Sequence, residues 1–224
     1  MQLSSIVAFI AIGSAASASA LPNILNSYEL SQPIVERVVG TIECETEPVF
    51  TGKLSLVSTT GRASNAAFEG IRNAEGLQLL DVGKAGSAAK EEDFSFTVCK
   101  SPFMGYETIY DKAADVYFGR LQPAHLVGKR CVSASQLGTT DARLVAAKCS
   151  SSDDSGQLLQ FWSLSQSVTN EGTKNYLNLL GKPADGGSDF PNAYIVSKVT
   201  QDNNKLVKLS KSNSAKSPYS LLLQ

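Results

Sequence analysis

Residues 128–164 read GKRCVSASQLGTTDARLVAAKCSSSDDSGQLLQFWSL, and they hold two of the four cysteines and the only tryptophan. One strand is expected to open at Cys131, a turn at Gly138 to Asp141, and a second strand to close at Cys149. In the second strand Val145, Ala147 and Cys149 alternate with Leu144, Ala146 and Lys148, which gives one mostly apolar face. A polar loop follows, and then a short aromatic strand, Gln160-Phe161-Trp162-Ser163-Leu164.

The aromatic ending of that stretch, and the opener that precedes it, recur elsewhere in the chain. Val49-Phe50-Thr51-Gly52-Lys53-Leu54 matches Val116-Tyr117-Phe118-Gly119-Arg120-Leu121 as apolar, aromatic, any residue, Gly, basic, Leu. Phe94-Ser95-Phe96-Thr97-Val98 alternates like a half-buried strand, and the step from Phe96 to Trp162 nearly equals the step from Gly52 to Gly119. A third closer runs from Tyr219 to Leu223. The step from Trp162 to its Leu221, applied to Gly119, lands on Asn178 in Asn175-Tyr176-Leu177-Asn178-Leu179-Leu180. The expectation is that Asn takes the place of Gly there because both accept φ > 0. Three units sharing an opener and a closer follow, at about 49–115, 116–170 and 171–224.

Between these landmarks further strands are expected at 76–82, 143–149, 194–200 and 205–209. A short helix is expected at 67–74. Thr60-Gly61, Asp185-Gly186-Gly187 and Asp202-Asn203-Asn204 mark turns. A unit of a few short strands cannot bury both its faces, so closure with its neighbours must supply the core, with Phe96, Trp162 and Leu221 pointing into it.

The totals suit this reading. The chain has 224 residues, 42% of them hydrophobic and 18% charged, with 17 glycines, a composition for short strands and turns. A formal charge of −1 gives no footprint for nucleic acid or for an anionic membrane surface. The apolar run at 6–12, followed by small residues ending Ala18-Ser19-Ala20, has the layout of a secretory signal peptide over 1–20, although no Lys or Arg precedes it. That run is too short to span a membrane. Residues 21–43, broken by Pro22 and Pro33, are expected to form an N-terminal arm ahead of a domain at 44–224.

An exported chain with four cysteines is expected to carry two disulfides, for which three pairings exist. Cys131 with Cys149 is favoured because the two flank one strand–turn–strand unit, which leaves Cys44 with Cys99.

The paired cysteines and the Gln160-Phe161-Trp162 ending resemble one repeat of the ricin B-type lectins, secreted fungal members most of all. The resemblance implies an all-β protein, a β-trefoil of three pseudo-repeats closed into one barrel-like domain. It also implies carbohydrate binding. In sugar-binding units of that family an Asp stands two residues after the first Cys, where this chain has Ser133, and an Asn often follows the second Cys, where it has Ser150. A carboxylate holds hydroxyls through charge-assisted hydrogen bonds about twice as strong as neutral ones, so this substitution weakens the sugar site. Ser133, Asp141, Gln160 and Trp162 remain the carbohydrate-binding candidates of the stretch. Trp162 reads more readily as core than as a stacking platform, and Gln160 as a backbone partner.

Catalytic readings find less support. His125 is the only histidine, no Gly-x-Ser-x-Gly elbow accompanies it, and every cysteine is expected in a disulfide. No metal site or cofactor is expected. The sequence therefore points to a secreted, extracellular, monomeric recognition protein whose partner is a carbohydrate or glycoprotein. The alternatives are a β-trefoil proteinase inhibitor, or an interaction or effector protein that kept the scaffold and lost the sugar sites.

Overall fold

The computed structural model describes residues 40–84, 89–112, 115–126, 130–170, 172–186, 193–212 and 216–224. The expected signal peptide and nearly all of the expected arm lie outside them. Strands β1 (Gly40–Thr41) and β2 (Glu43–Cys44) lead into β3 (Phe50–Ser58), β4 (Ala63–Asn65), β5 (Asp81–Lys84) and β6 (Asp93–Lys100). Next come β7 (Tyr110–Asp111), β8 (Val116–Pro123), β9 (Arg130–Ala134), β10 (Ala142–Lys148) and β11 (Ser152–Asp153). A 3-10 turn at Ser155–Leu159 precedes β12 (Trp162–Thr169), β13 (Gly172–Leu179), β14 (Ala193–Gln201), β15 (Asn204–Ser212) and β16 (Tyr219–Leu223).

The fold is all-β, and six of the strands close a barrel. The pairing runs β3–β6–β8–β12–β13–β16, and β16 returns to β3 with Leu221 opposite Leu56 and Leu223 opposite Leu54. These six are the strands that carry the sequence's openers and closers. The others are additional strands, among them the hairpins β9–β10 and β14–β15, tied together by β10–β15 and β15–β5 pairing. Period-two patterning explains the core: Phe94, Phe96 and Val98 are buried with Trp162 and Leu164, and with Leu221 and Leu223, in one cluster. Leu80, Val132, Leu144 and Val207, from outside the barrel strands, complete that cluster.

Two expectations are corrected. Residues 67–74 form no helix; Ala67 and Arg72 bridge antiparallel to Asp81 and Gln78, and Gly70 takes positive φ. Gly70, Ile71 and Asn73 are weak helix formers, and the backbone groups of the segment bond across to Asp81, Leu79 and Leu77 instead of along a helix. The repeated opener glycines are also not there for φ, because neither Gly52 nor Gly119 has positive φ. They permit close backbone approach: a Cβ on Gly52 would meet the Gln224 carbonyl oxygen at 2.1 Å, and one on Gly119 the Thr97 carbonyl oxygen at 2.0 Å. Asn178 is exposed, so a side chain fits there without any left-handed backbone.

Both disulfides form as expected, Cys44 with Cys99 and Cys131 with Cys149. Bonds of this kind belong to an oxidising compartment. Among the described residues no helix is long and apolar enough to cross a membrane.

Candidate functional site

The four candidate residues of the 128–164 stretch do not converge on one surface. Ser133 is buried on β9, where its hydroxyl donates to the Cys131 carbonyl at 3.3 Å. Trp162 is 1% exposed and its indole Nε1 donates to the Val132 carbonyl at 2.9 Å. Gln160 caps the 3-10 turn, its Oε1 accepting from the Ser150 amide at 3.0 Å and its Nε2 donating to the Gly156 carbonyl at 3.5 Å. Asp141 is exposed on the turn between β9 and β10, paired with Arg143 and, at 3.4 Å, with Lys208. That Arg143 hydrogen bond, with Lys208 beside it, holds the Asp141 carboxyl below its ordinary range. The hydrogen-bonding groups of Ser133, Gln160 and Trp162 are taken up by backbone.

A different place keeps capacity in reserve. A cavity of about 740 Å³ opens between the segment before β5 and the end of β8, with Phe68, Gln78, Glu92, Asp93 and His125 in its walls. The chain after β4 is held near Phe68 by the Ala67–Asp81 bridge, and the Phe68 amide donates to Glu92 Oε2 at 2.7 Å. This fixes the carboxyl one residue ahead of β6. Its other oxygen, Oε1, lies against Nδ1 of His125, whose half-exposed side chain also lines the cavity. Burial pushes the Glu92 carboxyl above its ordinary range, while the Phe68 amide and His125 pull it back. Behind it the Asp81 carboxyl is also raised by burial, while the Gly83 amide, which donates to Oδ1 at 2.9 Å, and the Glu69 amide pull it back.

Gln78 adds a third acceptor. Among the described residues its Oε1 has no hydrogen-bond partner, and Gln78 lines the same cavity as Glu92. Phe68 and Ala67 supply apolar lining, so the hollow mixes an apolar floor with acceptors that lack donors. Chemically it suits a ligand that brings hydroxyl or amine protons. Among the described residues no group of three or more His, Cys, Asp or Glu is arranged to hold a metal ion.

The sequence reading missed this cavity. Glu92 stands in an ordinary Lys-Glu-Glu-Asp run, and its burial arises only when Phe68, well before it in the chain, and His125, well after it, are brought alongside. One available signal was the single histidine, His125, beside Pro123-Ala124. Comparison with protein-family models, curated proteins and solved structures returned no match to the chain.

Proposed function

We propose that this chain is a secreted, non-catalytic recognition protein of β-trefoil build, and that it binds a neutral polyhydroxylated ligand, a carbohydrate, in the cavity beside Glu92. The trefoil reading is supported by the pairing of the barrel strands. They come as β3 with β6, β8 with β12, and β13 with β16, each pair enclosing further strands that pack into the common core. The resemblance of the Cys131 to Trp162 stretch to ricin B-type repeats favours the same build.

The observation that carries the ligand class is that two residues lining the cavity hold under-used acceptors: among the described residues, Glu92 Oε1 has only His125 against it and Gln78 Oε1 has no donor. A buried acceptor without a donor costs about 1–3 kcal/mol, and a sugar hydroxyl removes that cost on binding. A carboxylate accepting two hydroxyls gives charge-assisted bonds, and the Phe68 and Ala67 wall suits the apolar face of a sugar ring. Recognition is preferred to catalysis because all four cysteines are in disulfides and His125 faces a carboxylate rather than a nucleophile.

A glycan array with the folded protein tests this, followed by titration of any hit against Glu92→Gln. The substitution keeps an acceptor for the Phe68 amide and removes the charge, and about a tenfold loss of affinity is expected. A folded protein that binds no glycan, or binds one with equal affinity after the substitution, defeats the proposal.

A further inference from the structure

Arg120 is the opposite case, a buried cation with an unused donor. It lies on β8 between Gly119 and Leu121, is 8% exposed, and its guanidinium reaches past the barrel wall towards the chain after Cys149. Nη2 donates to the Ser150 carbonyl and, at 3.2 Å, to Gln157 Oε1, both neutral acceptors. Nε is buried with no acceptor among the described residues. The acid that supports the charge from a distance is Asp153, whose own oxygens are occupied by the Ser101 hydroxyl and, at 2.9 Å, by the Phe103 amide. Burial lowers the guanidinium to about 10, the mark of a charge whose solvent has been removed more completely than it has been replaced.

This side chain lines a cavity of about 490 Å³, distinct from the one at Glu92, together with Thr97, Gln122, Ser150, Ser151 and Glu45. The volume is that of a small-molecule site. Hydroxyl and amide groups surround one cation, and a guanidinium N–H still lacks an acceptor.

We infer that the Arg120 cavity is a binding site for the carboxylate of a small hydroxylated acid. A carboxylate oxygen accepting from the vacant Nε–H supplies the missing acceptor and a countercharge for the buried guanidinium. Thr97, Ser150 and Ser151 offer hydroxyl partners for the rest of such a molecule. Glu45 on the same wall sets the charge of the ligand: it opposes a dianion, so a monoanionic carboxylate is favoured over sulfate or phosphate.

The test follows the Arg120 Nε–H resonance of the intact, isotope-labelled protein through titrations with sodium acetate, sodium glucuronate, glucose and sodium chloride at matched ionic strength. Acetate and glucuronate are expected to shift it saturably, glucuronate at lower concentration, whereas glucose and chloride leave it in place. If neither carboxylate moves the resonance at high concentration, or if chloride moves it equally, the site does not exist. Arg120→Lys supplies a second readout, because it keeps a positive charge and loses the Nε–H donor. Glucuronate affinity should fall by about tenfold or more in the folded variant; unchanged affinity overturns the proposal. Should this buried substitution fail to fold, the wild-type titration decides alone.

Discussion

The 131–162 segment and the hollow around Glu92 use their hydrogen-bonding groups in opposite ways. In the first, Ser133, Gln160 and the Trp162 indole are bonded to backbone and the two cysteines to each other. In the second, among the described residues, Gln78 Oε1 has no donor and Glu92 is held by one amide and one half-exposed imidazole. A group that the fold has saturated has nothing left for a ligand, whereas an acceptor left short of donors carries a cost that a ligand can remove. The segment with the recognisable residues is thus architecture, and the segment without them is where the proposed binding site falls.

The largest effect expected from this contrast is at Trp162. Replacement by Ala empties a site that is 1% exposed and leaves the Val132 carbonyl without its donor. A loss of about 3–5 kcal/mol is expected in denaturant unfolding, against the roughly 5–15 kcal/mol typical of a whole domain. Trp162→Phe, which restores most of the volume, should recover the greater part. A loss below about 1 kcal/mol for the alanine variant would show that the indole is not a core anchor, and the contrast would fail on its architectural side.

How much of this was legible in the sequence follows from what each feature depends on. Strand patterning is local, so Phe94, Phe96 and Val98, or Leu221 and Leu223, announce their inward face by alternation alone, and they are buried. The cysteine pairing was legible because Cys131 and Cys149 flank two adjoining strands. The opener glycines were visible as a repeat, but the reason for them was not: the obstruction at Gly52 is the Gln224 carbonyl, from the far side of the sequence. The 67–74 segment misled because Ala67, Glu69, Arg72 and Ala74 favour a helix locally, while the competing partner, Asp81, lies across a turn. The Glu92 hollow was illegible for the same reason at larger scale. Its walls come from three separate places, and no short motif encodes a carboxyl being buried by distant neighbours.

Glu92 sharpens the comparison from the other side. A carboxyl held above its ordinary range in the folded chain supports folding only while protonated. Its contribution is therefore complete below the unfolded value of about 4.3 and is lost as pH rises through the folded value. Glu92→Gln cannot ionise, so it should be more stable than the wild type at neutral pH, with the advantage shrinking as the solution is acidified towards that unfolded value. Urea midpoints across that range measure it. The same substitution is expected to weaken glycan binding, so stability and affinity should move in opposite directions, as at sites held short of their stability optimum for function. A variant less stable than the wild type at every pH would make Glu92 a structural support and erase the distinction drawn between the two regions.

The smallest effect belongs to Asp141, the one sequence-nominated residue that is exposed. Its carboxyl is held low by Arg143 and Lys208, but the side chain is 61% exposed, so solvent and salt screen most of what the shift would imply. The sign is opposite to that at Glu92: a depressed carboxyl stabilises above its unfolded value of about 3.9, and the contribution disappears as pH falls through the folded value. Asp141→Asn should therefore cost at most about 0.5 kcal/mol at neutral pH in low salt, less in high salt, and nothing once the wild-type carboxyl is protonated. Because the turn lines neither cavity, glycan affinity should not change. If it fell instead, the sugar would be reaching the β9–β10 turn, and the exposed edge of the Cys131 to Trp162 stretch would regain the binding role that its buried residues have given up.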